Sequence, residues 1–549
     1  MTDKPAAARN WGSRFTLDAA ADVWRNLEPR YKRSFLVLMA VNLVVFSYGM
    51  MNHAVGDHDL VFYSGYPAEG DLHTGRWFQG ALSLLAFHTT APVYVQLLTI
   101  FFQVLAAMGM VLLWKPDAGA RELILGGLVV CLMPFVNWQH YYRSSSQFFS
   151  FPQLGMVLAL ILCAGQSVNW KKTLAAAVLV MISLATYTPA VQTYAVGWAG
   201  LLGLRLSRWD GTGRDLSRIL KSLAPSAATG VAGGLLYYLT TRWLLHQGLM
   251  DNTSYMTATR TPAEMLAAVP DVFGASFRHL RYSQLFLPES LKRFLLLTVY
   301  LGLGCLTLKA WFSGRSRPQR LLAVLAAVLF LCFCSKLAFV ITQNTDYYAE
   351  RIAQMGLPYV YLFFVLAVLS LGGRLIGELS SFFLILVILP YMAVCDLRAQ
   401  ETFVLMAQHD FAVANRVLAK VESRLGAGLG GKRYVFVQLG AWKPLNDYLD
   451  PGYIRIKPNP FRTLARLHGD LIFRRLSTEF EPESYYTMPA KSVHDFQPPP
   501  EAVRAAQLAA GQKPFPDDGF IGVYDDMVVL LFDPQAREEI LRMDAAASR

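Results

Sequence analysis

Charged residues are scarce in this chain. Asp, Glu, Lys and Arg make up 16% of its 549 residues, whereas 54% are hydrophobic and the mean hydropathy is +0.33. Soluble domains usually carry about a quarter charged residues. The apolar residues concentrate between Ser34 and Val394, and the rest of the chain has the composition of a soluble domain. The sequence therefore excludes a wholly soluble protein and predicts a large membrane domain followed by a small soluble one.

Cysteine is also rare, and its placement excludes a disulfide framework. The six cysteines all lie in or at the end of apolar segments, and none follows Cys395. Cys332 and Cys334 form a C-x-C pair inside an apolar run, with no histidine or further cysteine near it in sequence. We therefore expect the cysteines to pack in the core rather than to form disulfides or bind metal.

Several familiar signatures are missing. The chain has no Walker A loop, no G-x-S-x-G elbow and no H-E-x-x-H motif. Few charges fall deep in an apolar run, and Lys336 is the main one. An ion-coupled transporter would bury more ionisable groups near mid-bilayer. The formal charge of +11 does not indicate nucleic-acid binding, because the surplus lies in the N-terminal arm and in alternate short connections.

Eleven apolar windows are each near the roughly 20 residues needed to cross a bilayer. They lie at about 35–50, 91–114, 121–138, 151–166, 171–187, 190–206, 223–245, 292–312, 319–341, 352–372 and 375–394. Lys and Arg occur in every second connection, which places the N-terminus in the cytoplasm and the C-terminal region outside. The sequence thus predicts a mainly α, polytopic membrane protein with about 11 transmembrane helices.

The flanking regions complete the predicted domain organisation. Residues 1–33 form a cytoplasmic amphipathic arm without the features of a cleavable signal, and residues 34–395 form the transmembrane domain. Residues 396–549 form a small extracytoplasmic α/β domain. Its amphipathic helix covers 397–425, and its apolar strands fall at 433–439 and within 522–532.

The stretch from residue 51 to residue 78 carries the strongest functional indication. It lies between the first two apolar runs and holds four carboxylates: Asp57, Asp59, Glu69 and Asp71. Carboxylates beside a membrane are costly unless they are solvated, paired or used in chemistry. Asp57 and Asp59 are the better catalytic candidates because they closely follow the first span, beside His53 and His58. Glu69 and Asp71 are equally explained as solvated loop charges.

Further polar and aromatic residues map to the same predicted exterior face. Arginine forks fit phosphate oxygens, aromatic faces pack on sugar rings, and a carboxylate can accept a proton from an attacking hydroxyl. Each residue also has a purely structural explanation, since aromatic and basic side chains commonly anchor helices at a membrane interface. The candidates are Arg76, Trp77, Tyr141, Tyr142, Arg143, Tyr187, Glu350 and Arg351.

A metal site is a further alternative for the acidic stretch. His53 and His58 alternate with Asp57 and Asp59, but their spacing matches no specific metal signature. We therefore expect no cofactor, with a divalent metal left as the less favoured alternative.

Several of these motifs together resemble those of a known family. The residues that carry the resemblance are Asp57-His58-Asp59 after the first span, Gly75-Arg76-Trp77, the Tyr187 turn, and Glu350-Arg351 before a late span. They resemble the serotype-converting O-antigen glucosyltransferases, polytopic enzymes of the GT-C fold class. The resemblance implies a GT-C-like membrane domain in the bacterial inner membrane, with the C-terminal domain in the periplasm.

The same resemblance implies a reaction and its partners. A sugar, for example glucose, would move from a polyprenyl-phosphate donor in the outer leaflet to a lipid-linked or cell-envelope glycan, with inversion. Asp59 or Asp57 would act as base, and Arg351, Arg76 and Arg143 would bind the donor phosphate. The substrate-binding residues would be Glu69, Asp71, Trp77, Tyr141, Tyr142, Tyr187 and Glu350. Membrane lipids, and no nucleic acid, are the other expected partners.

Two other classes of function compete with this one. A flippase for a lipid-linked sugar would translocate its substrate without forming a glycosidic bond. A scaffold protein would depend on residues 426–549 and tolerate loss of the loop carboxylates. The enzyme is favoured because the polar residues cluster at one predicted face instead of through the bilayer.

Overall fold

The computed structural model describes most of the apolar part of the chain and part of the C-terminal region. The described residues are 22, 24–52, 76–83, 92–134, 139–140, 142, 145–164, 169–210, 212–250, 260–282, 288–312, 317–342, 355–425, 434–440, 442, 484–488 and 498–547.

Helices dominate the described residues up to residue 425. Their order is α1 Pro29–Met51, α2 Trp77–Leu82, α3 Pro92–Trp114, α4 Ala120–Cys131, α5 Gln147–Ala164, α6 Trp170–Thr186, α7 Val191–Leu206, α8 Gly213–His246, α9 Pro262–Tyr282, α10 Glu289–Phe312, α11 Arg317–Cys334, α12 Ala338–Ile341, α13 Leu357–Leu371, α14 Gly373–Phe383 and α15 Leu389–Leu425. A π-helical turn at Leu384–Ile388 joins α14 to α15 without a break, so the helix continues across the predicted domain boundary at 395/396.

Local sequence explains several helix starts. Pro29 occupies the first turn of α1, where its missing N–H is not needed. Asn169 and Thr212 cap α6 and α8 by accepting hydrogen bonds from the backbone N–H groups of Lys172 and Asp215. These caps lie in connections that the sequence places between apolar runs.

Six helical segments are long and apolar enough to cross a membrane, judged by length and composition. They are Pro29–Met51, Val93–Trp114, Gln147–Ala164, Gly213–His246, Glu289–Phe312 and the continuous Gly373–Leu425. Pro318–Cys334 and Leu357–Leu371 are apolar but shorter. This supports the predicted membrane protein, whereas the count of about 11 spans and the orientation of the termini stay predictions.

Small residues bring the helices close together. Trp114 of α3 lies against Gly200 of α7 and donates its indole N–H to the Gly197 carbonyl at 2.9 Å. Gly302 of α10 faces the backbone of Phe364 on α13, and a Cβ at Gly302 would lie 2.7 Å from the Phe364 carbonyl oxygen. Such close approach is how helices pack where lipid removes the hydrophobic drive between them.

The last long helix is tied to the first by a fully bonded amide. Gln400 of α15 accepts from the Gly49 N–H at 2.8 Å and donates to the Val45 carbonyl at 3.0 Å. The Gln400 side chain is buried, so these bonds satisfy polar atoms that would otherwise be costly. The contact fixes α15 beside the end of α1.

A small sheet follows α15. Its strands are β1 Val435–Leu439, β2 Ser484–Met488, β3 Ile521–Tyr524 and β4 Met527–Leu531, in the order β2-β1-β4-β3. β1 runs parallel to β2 and β4, while β3 and β4 are antiparallel. The sequence predicted β1 and the β3–β4 region, but it missed β2.

The sheet is covered on both faces. Phe436 and Val528 share a core with Val413 and Val417 of α15. The alternate residues of β1 and β4 share a second core with two further helices, α16 Pro500–Leu508 and α17 Pro534–Ala547. Burial on both faces explains why β1 and β4 read as continuous apolar runs.

Gly302 and its neighbour Gly304 on α10 provide a matched test of the helix packing. We expect Gly302→Val to destabilise the protein by about 1–3 kcal/mol, because the new side chain would overlap the backbone of α13. A Cβ at Gly304 meets no atom within 4 Å, so Gly304→Val should change stability far less. Thermal unfolding of both purified variants measures the difference, and equal losses would contradict this packing.

Candidate active site at the helix ends

The structure describes four of the predicted site residues: Arg76, Trp77, Tyr142 and Tyr187. The other eight lie outside the described residues, and their roles stay predictions. They are Asp57, Asp59, Glu69, Asp71, Tyr141, Arg143, Glu350 and Arg351.

Arg76 and Tyr187, far apart in sequence, meet in the structure. Arg76 immediately precedes α2, and its guanidinium carbon lies 5.3 Å from the centre of the Tyr187 ring. Tyr187 is only 1% exposed and occupies the break between α6 and the short 3-10 turn Thr188–Ala190. A cation this close to an aromatic ring is attracted by its π electrons, and more strongly away from water. The stack therefore holds a positive charge at the break between two helices.

Aromatic rings extend this contact. The Tyr187 ring packs edge-on against Phe149 at 4.8 Å, and Phe149 contacts Tyr142 at 5.3 Å between ring centres. Phe149 lies in the first turn of α5 and links Tyr142 to Tyr187. The structure thus brings together Arg76, Tyr142 and Tyr187, and it adds Phe149, which the sequence did not indicate because it begins an apolar run.

Tyr237 of α8 is a second residue that sequence reasoning missed. Its hydroxyl lies 3.3 Å from the Thr188 hydroxyl, and it interacts electrostatically with Arg76. A tyrosine pair inside an apolar helix, Tyr237-Tyr238, is the signal that could have found it. The site therefore includes a hydroxyl beside the arginine.

Trp77 follows Arg76 but contacts its own neighbour. Its ring lies 6.0 Å from that of Phe78, at nearly a right angle. The indole N–H is buried and has no hydrogen-bond partner among the residues the structure describes. Trp77 thus has an unused donor beside the stack, although no contact joins its ring to the cluster of Tyr142, Phe149 and Tyr187.

A buried polar network orders the segment just before α5. Gln96 donates to the His140 carbonyl at 3.0 Å and to the Ser146 hydroxyl at 3.2 Å. Its amide oxygen, which can only accept, lies 2.5 Å from Nδ1 of His140, so Nδ1 carries the hydrogen there. The His140 ring stacks on Phe46 of α1 at 3.9 Å. These contacts hold His140 and Ser146, the bonded residues on either side of Tyr142, against α1 and α3.

A second group of residues meets where α7 begins, α11 ends and α13 begins. Thr193 donates to the Met355 carbonyl at 2.9 Å. A Cβ at Gly356 would lie 2.9 Å from Ser335 Cα and 3.1 Å from Gln192 Cβ. Gln192 follows Tyr187 by five residues, and Met355 comes shortly after the predicted pair Glu350-Arg351. The start of α7 therefore joins this second group to the first group, which is formed by Arg76, Tyr142, Phe149 and Tyr187.

Lys336 lies beside the second group. Its side chain is completely buried, and the ammonium nitrogen lies 5.3 Å from the centre of the Phe339 ring. The sequence singled out Lys336 as a charge inside an apolar run without assigning it a role. Lys336 thus places a buried basic side chain next in sequence to Ser335 of the second group.

The described residues contain no group of three or more metal-ligating side chains. The histidines and aspartates of the alternative metal site, His53 to Asp59, lie outside them. The expectation of no cofactor therefore stays an expectation.

A family comparison covers the region that holds both groups. The family described as glucosyl transferase GtrII matches residues 49–369, more than half of the chain. The matched region includes every predicted site residue and ends within α13, whereas the C-terminal sheet lies beyond it. Comparisons with curated proteins and with solved structures gave no match.

Gly356 tests the close approach of the second group. We expect Gly356→Ala to lower stability by about 1–3 kcal/mol, because a Cβ there would press on the backbone of Ser335. Gly234→Ala is the control, since its Cβ meets nothing within 4 Å and alanine favours the helix. Thermal unfolding checks the pair, and an unchanged midpoint for Gly356→Ala would contradict the geometry.

Proposed function

The chain belongs to the glucosyl transferase GtrII family, and from this premise we propose its donor, acceptor and mechanism. The donor is a polyprenyl-phosphate-linked hexose, with glucose favoured by the family, and the acceptor is a lipid-linked or cell-envelope glycan. Transfer takes place on the extracytoplasmic face of a bacterial inner membrane, with the N-terminus in the cytoplasm and the C-terminal sheet in the periplasm.

The observation that carries this proposal is the stack of Arg76 on Tyr187. The contact with Tyr187 holds a guanidinium beside the helix break, and guanidinium N–H groups match the geometry of phosphate oxygens. Negative charge grows on the donor phosphate as its bond to the sugar breaks. A guanidinium held in place near that oxygen stabilises the transition state more than the ground state.

The aromatic cluster of Tyr142, Phe149 and Tyr187 supports a site for the sugar and the isoprenoid chain. Aromatic rings present apolar faces that match the C–H side of a pyranose ring and the hydrocarbon of a polyprenyl group. Trp77 adds a ring and a buried indole donor beside Arg76. Cluster and arginine together offer apolar surface next to positive charge, as a lipid-linked sugar phosphate requires.

The proposed reaction is a single displacement. The acceptor hydroxyl oxygen attacks the anomeric carbon from the side opposite the phosphate, a new glycosidic bond forms, and the bond to the phosphate oxygen breaks. The electron pair stays on the phosphate, which Arg76, Arg351 and Arg143 stabilise. The hydroxyl proton moves to Asp59 or Asp57. The anomeric centre inverts because the attack comes from the side opposite the phosphate. Glu69, Asp71, Tyr141 and Glu350 bind the substrates.

The base is tested with purified protein in liposomes supplied with polyprenyl-phosphate glucose and a lipid-linked glycan. We expect Asp59→Asn or Asp57→Asn to lower transfer by about 10²–10⁴-fold, because a neutral amide cannot accept the proton. Wild-type transfer by both variants would rule out this base. A parallel reaction with chelator tests the metal alternative.

The same liposomes distinguish the enzyme from a flippase. The proposed enzyme forms a new glycosidic bond, detected as a product of higher mass. Movement of labelled lipid across the bilayer without that product, over a broad panel of donors, would favour the flippase and overturn the transferase mechanism.

Arg76 is tested against an arginine outside the site. We expect Arg76→Ala to lower kcat/KM by about 10²–10³-fold, as loss of one transition-state donor usually does, and Arg76→Lys to recover part of it. Arg374→Ala is the control, since Arg374 is exposed and pairs with Glu378 one helical turn away. Equal rates for the Arg76 and Arg374 alanine variants would contradict the proposed role.

A further inference from the structure

Gln192 has a buried amide that the protein leaves unused. Its side chain is 0% exposed, yet neither its amide oxygen nor its amide nitrogen has a hydrogen-bond partner among the described residues. Burying a polar group without a partner is unfavourable, so such groups are rare in folded proteins and call for an explanation.

Two other buried glutamines in the same domain, Gln153 and Gln400, are bonded at both amide atoms. Gln153 donates to Gln139 and to the Phe149 carbonyl, and it accepts from the Tyr359 hydroxyl. Gln400 accepts from Gly49 and donates to Val45. Gln192 differs from these two glutamines because both of its amide atoms lack a partner among the described residues.

The position of Gln192 connects it to both groups of the candidate site. It is the second residue of α7 and follows Tyr187 by five residues, which corresponds to about 8–10 Å of helical rise. On its other side, its Cβ lies next to the closely packed Gly356 and Ser335. The amide thus lies at the helix start that joins the Arg76–Tyr187 stack to the ends of α11 and α13.

The charges around this helix start suit the two ends of a sugar phosphate. Arg76 precedes α2 on the Tyr187 side, and the fully buried Lys336 adjoins Ser335 on the other. Positive groups suit the phosphate. A neutral amide provides one acceptor and two donors, which matches neighbouring sugar hydroxyls that each donate and accept.

We propose that Gln192 binds hydroxyl groups of the donor sugar through both atoms of its amide. This inference rests on the proposed function, because it names a residue of the donor site. The unused amide is then a group arranged for substrate, and its cost to the unliganded protein is offset when the sugar binds.

Gln192→Leu tests the proposal, because leucine keeps the bulk and removes both polar atoms. We expect the unliganded thermal midpoint to stay the same or rise, since the replaced polar atoms had no partner. Polyprenyl-phosphate glucose should raise the wild-type midpoint more than sugar-free polyprenyl phosphate does, and the variant should lose that difference. Transfer measured as kcat/KM should fall by about 10- to 100-fold, as expected from loss of two hydrogen bonds.

Gln400→Leu is the matched control, since Gln400 is a buried glutamine with both amide atoms bonded and lies outside the site. It should lower the unliganded midpoint and keep the sugar-dependent difference. Methionine is close to glutamine in length and also lacks the amide. Gln192→Met therefore replaces Gln192→Leu in the same measurements if the leucine variant does not fold.

The readouts separate this inference from the proposed function. A sugar-dependent difference that is lost in Gln192→Leu, with no transfer by wild type, would support the inference and overturn the transferase mechanism. If wild type transfers glucose and the sugar-dependent difference is unchanged in the variant, the transferase mechanism is supported and the inference about Gln192 is overturned. A lower unliganded midpoint in both Gln192 variants, or no sugar-dependent difference in wild type, would also overturn the inference.

Discussion

The cost of burying polar groups in an apolar domain is the constraint on which the rest of the structure depends. Within the described helices, buried amides such as Gln96, Gln153 and Gln400 each hold two parts of the chain together through hydrogen bonds. Each of these bonds stabilises the fold, because a buried polar atom without a hydrogen-bond partner is unfavourable inside an apolar region. These bonded amides therefore fix which segments pack together, and Gln192 differs from them because neither of its amide atoms has a partner among the described residues.

The break between α6 and α7 shows how a short sequence creates the proposed site. Pro189 has no N–H to donate to the carbonyl of the preceding turn, so α6 ends before it. Tyr187 takes an extended backbone conformation there, with φ −154° and ψ 101°. Its ring packs edge-on against Phe149 and lies 5.3 Å from the guanidinium carbon of Arg76.

The pattern of apolar residues was sufficient to predict the helical character of the chain and strands near the C-terminus, because both depend on local runs of apolar residues. It also selected Arg76, Tyr142 and Tyr187 as members of one site, from residue type and predicted sidedness. It could not predict that Arg76 stacks on Tyr187, since that contact joins segments distant in sequence. Phe149 carried no local signal, and β2 was missed because its residues, Ser484–Met488, are too polar to read as a buried strand.

Helix α15 links the C-terminal sheet to the acidic stretch that follows α1. Gln400 fixes α15 to the last turn of α1, which ends at Met51, directly before the residues proposed to supply the base. Further along the same helix, Asp410 accepts from the Trp442 indole, and Val413 and Val417 share a core with the sheet. One continuous helix therefore makes both sets of contacts and joins the sheet to the end of α1. The sheet lies beyond the family match, whereas the end of α1 lies at its start.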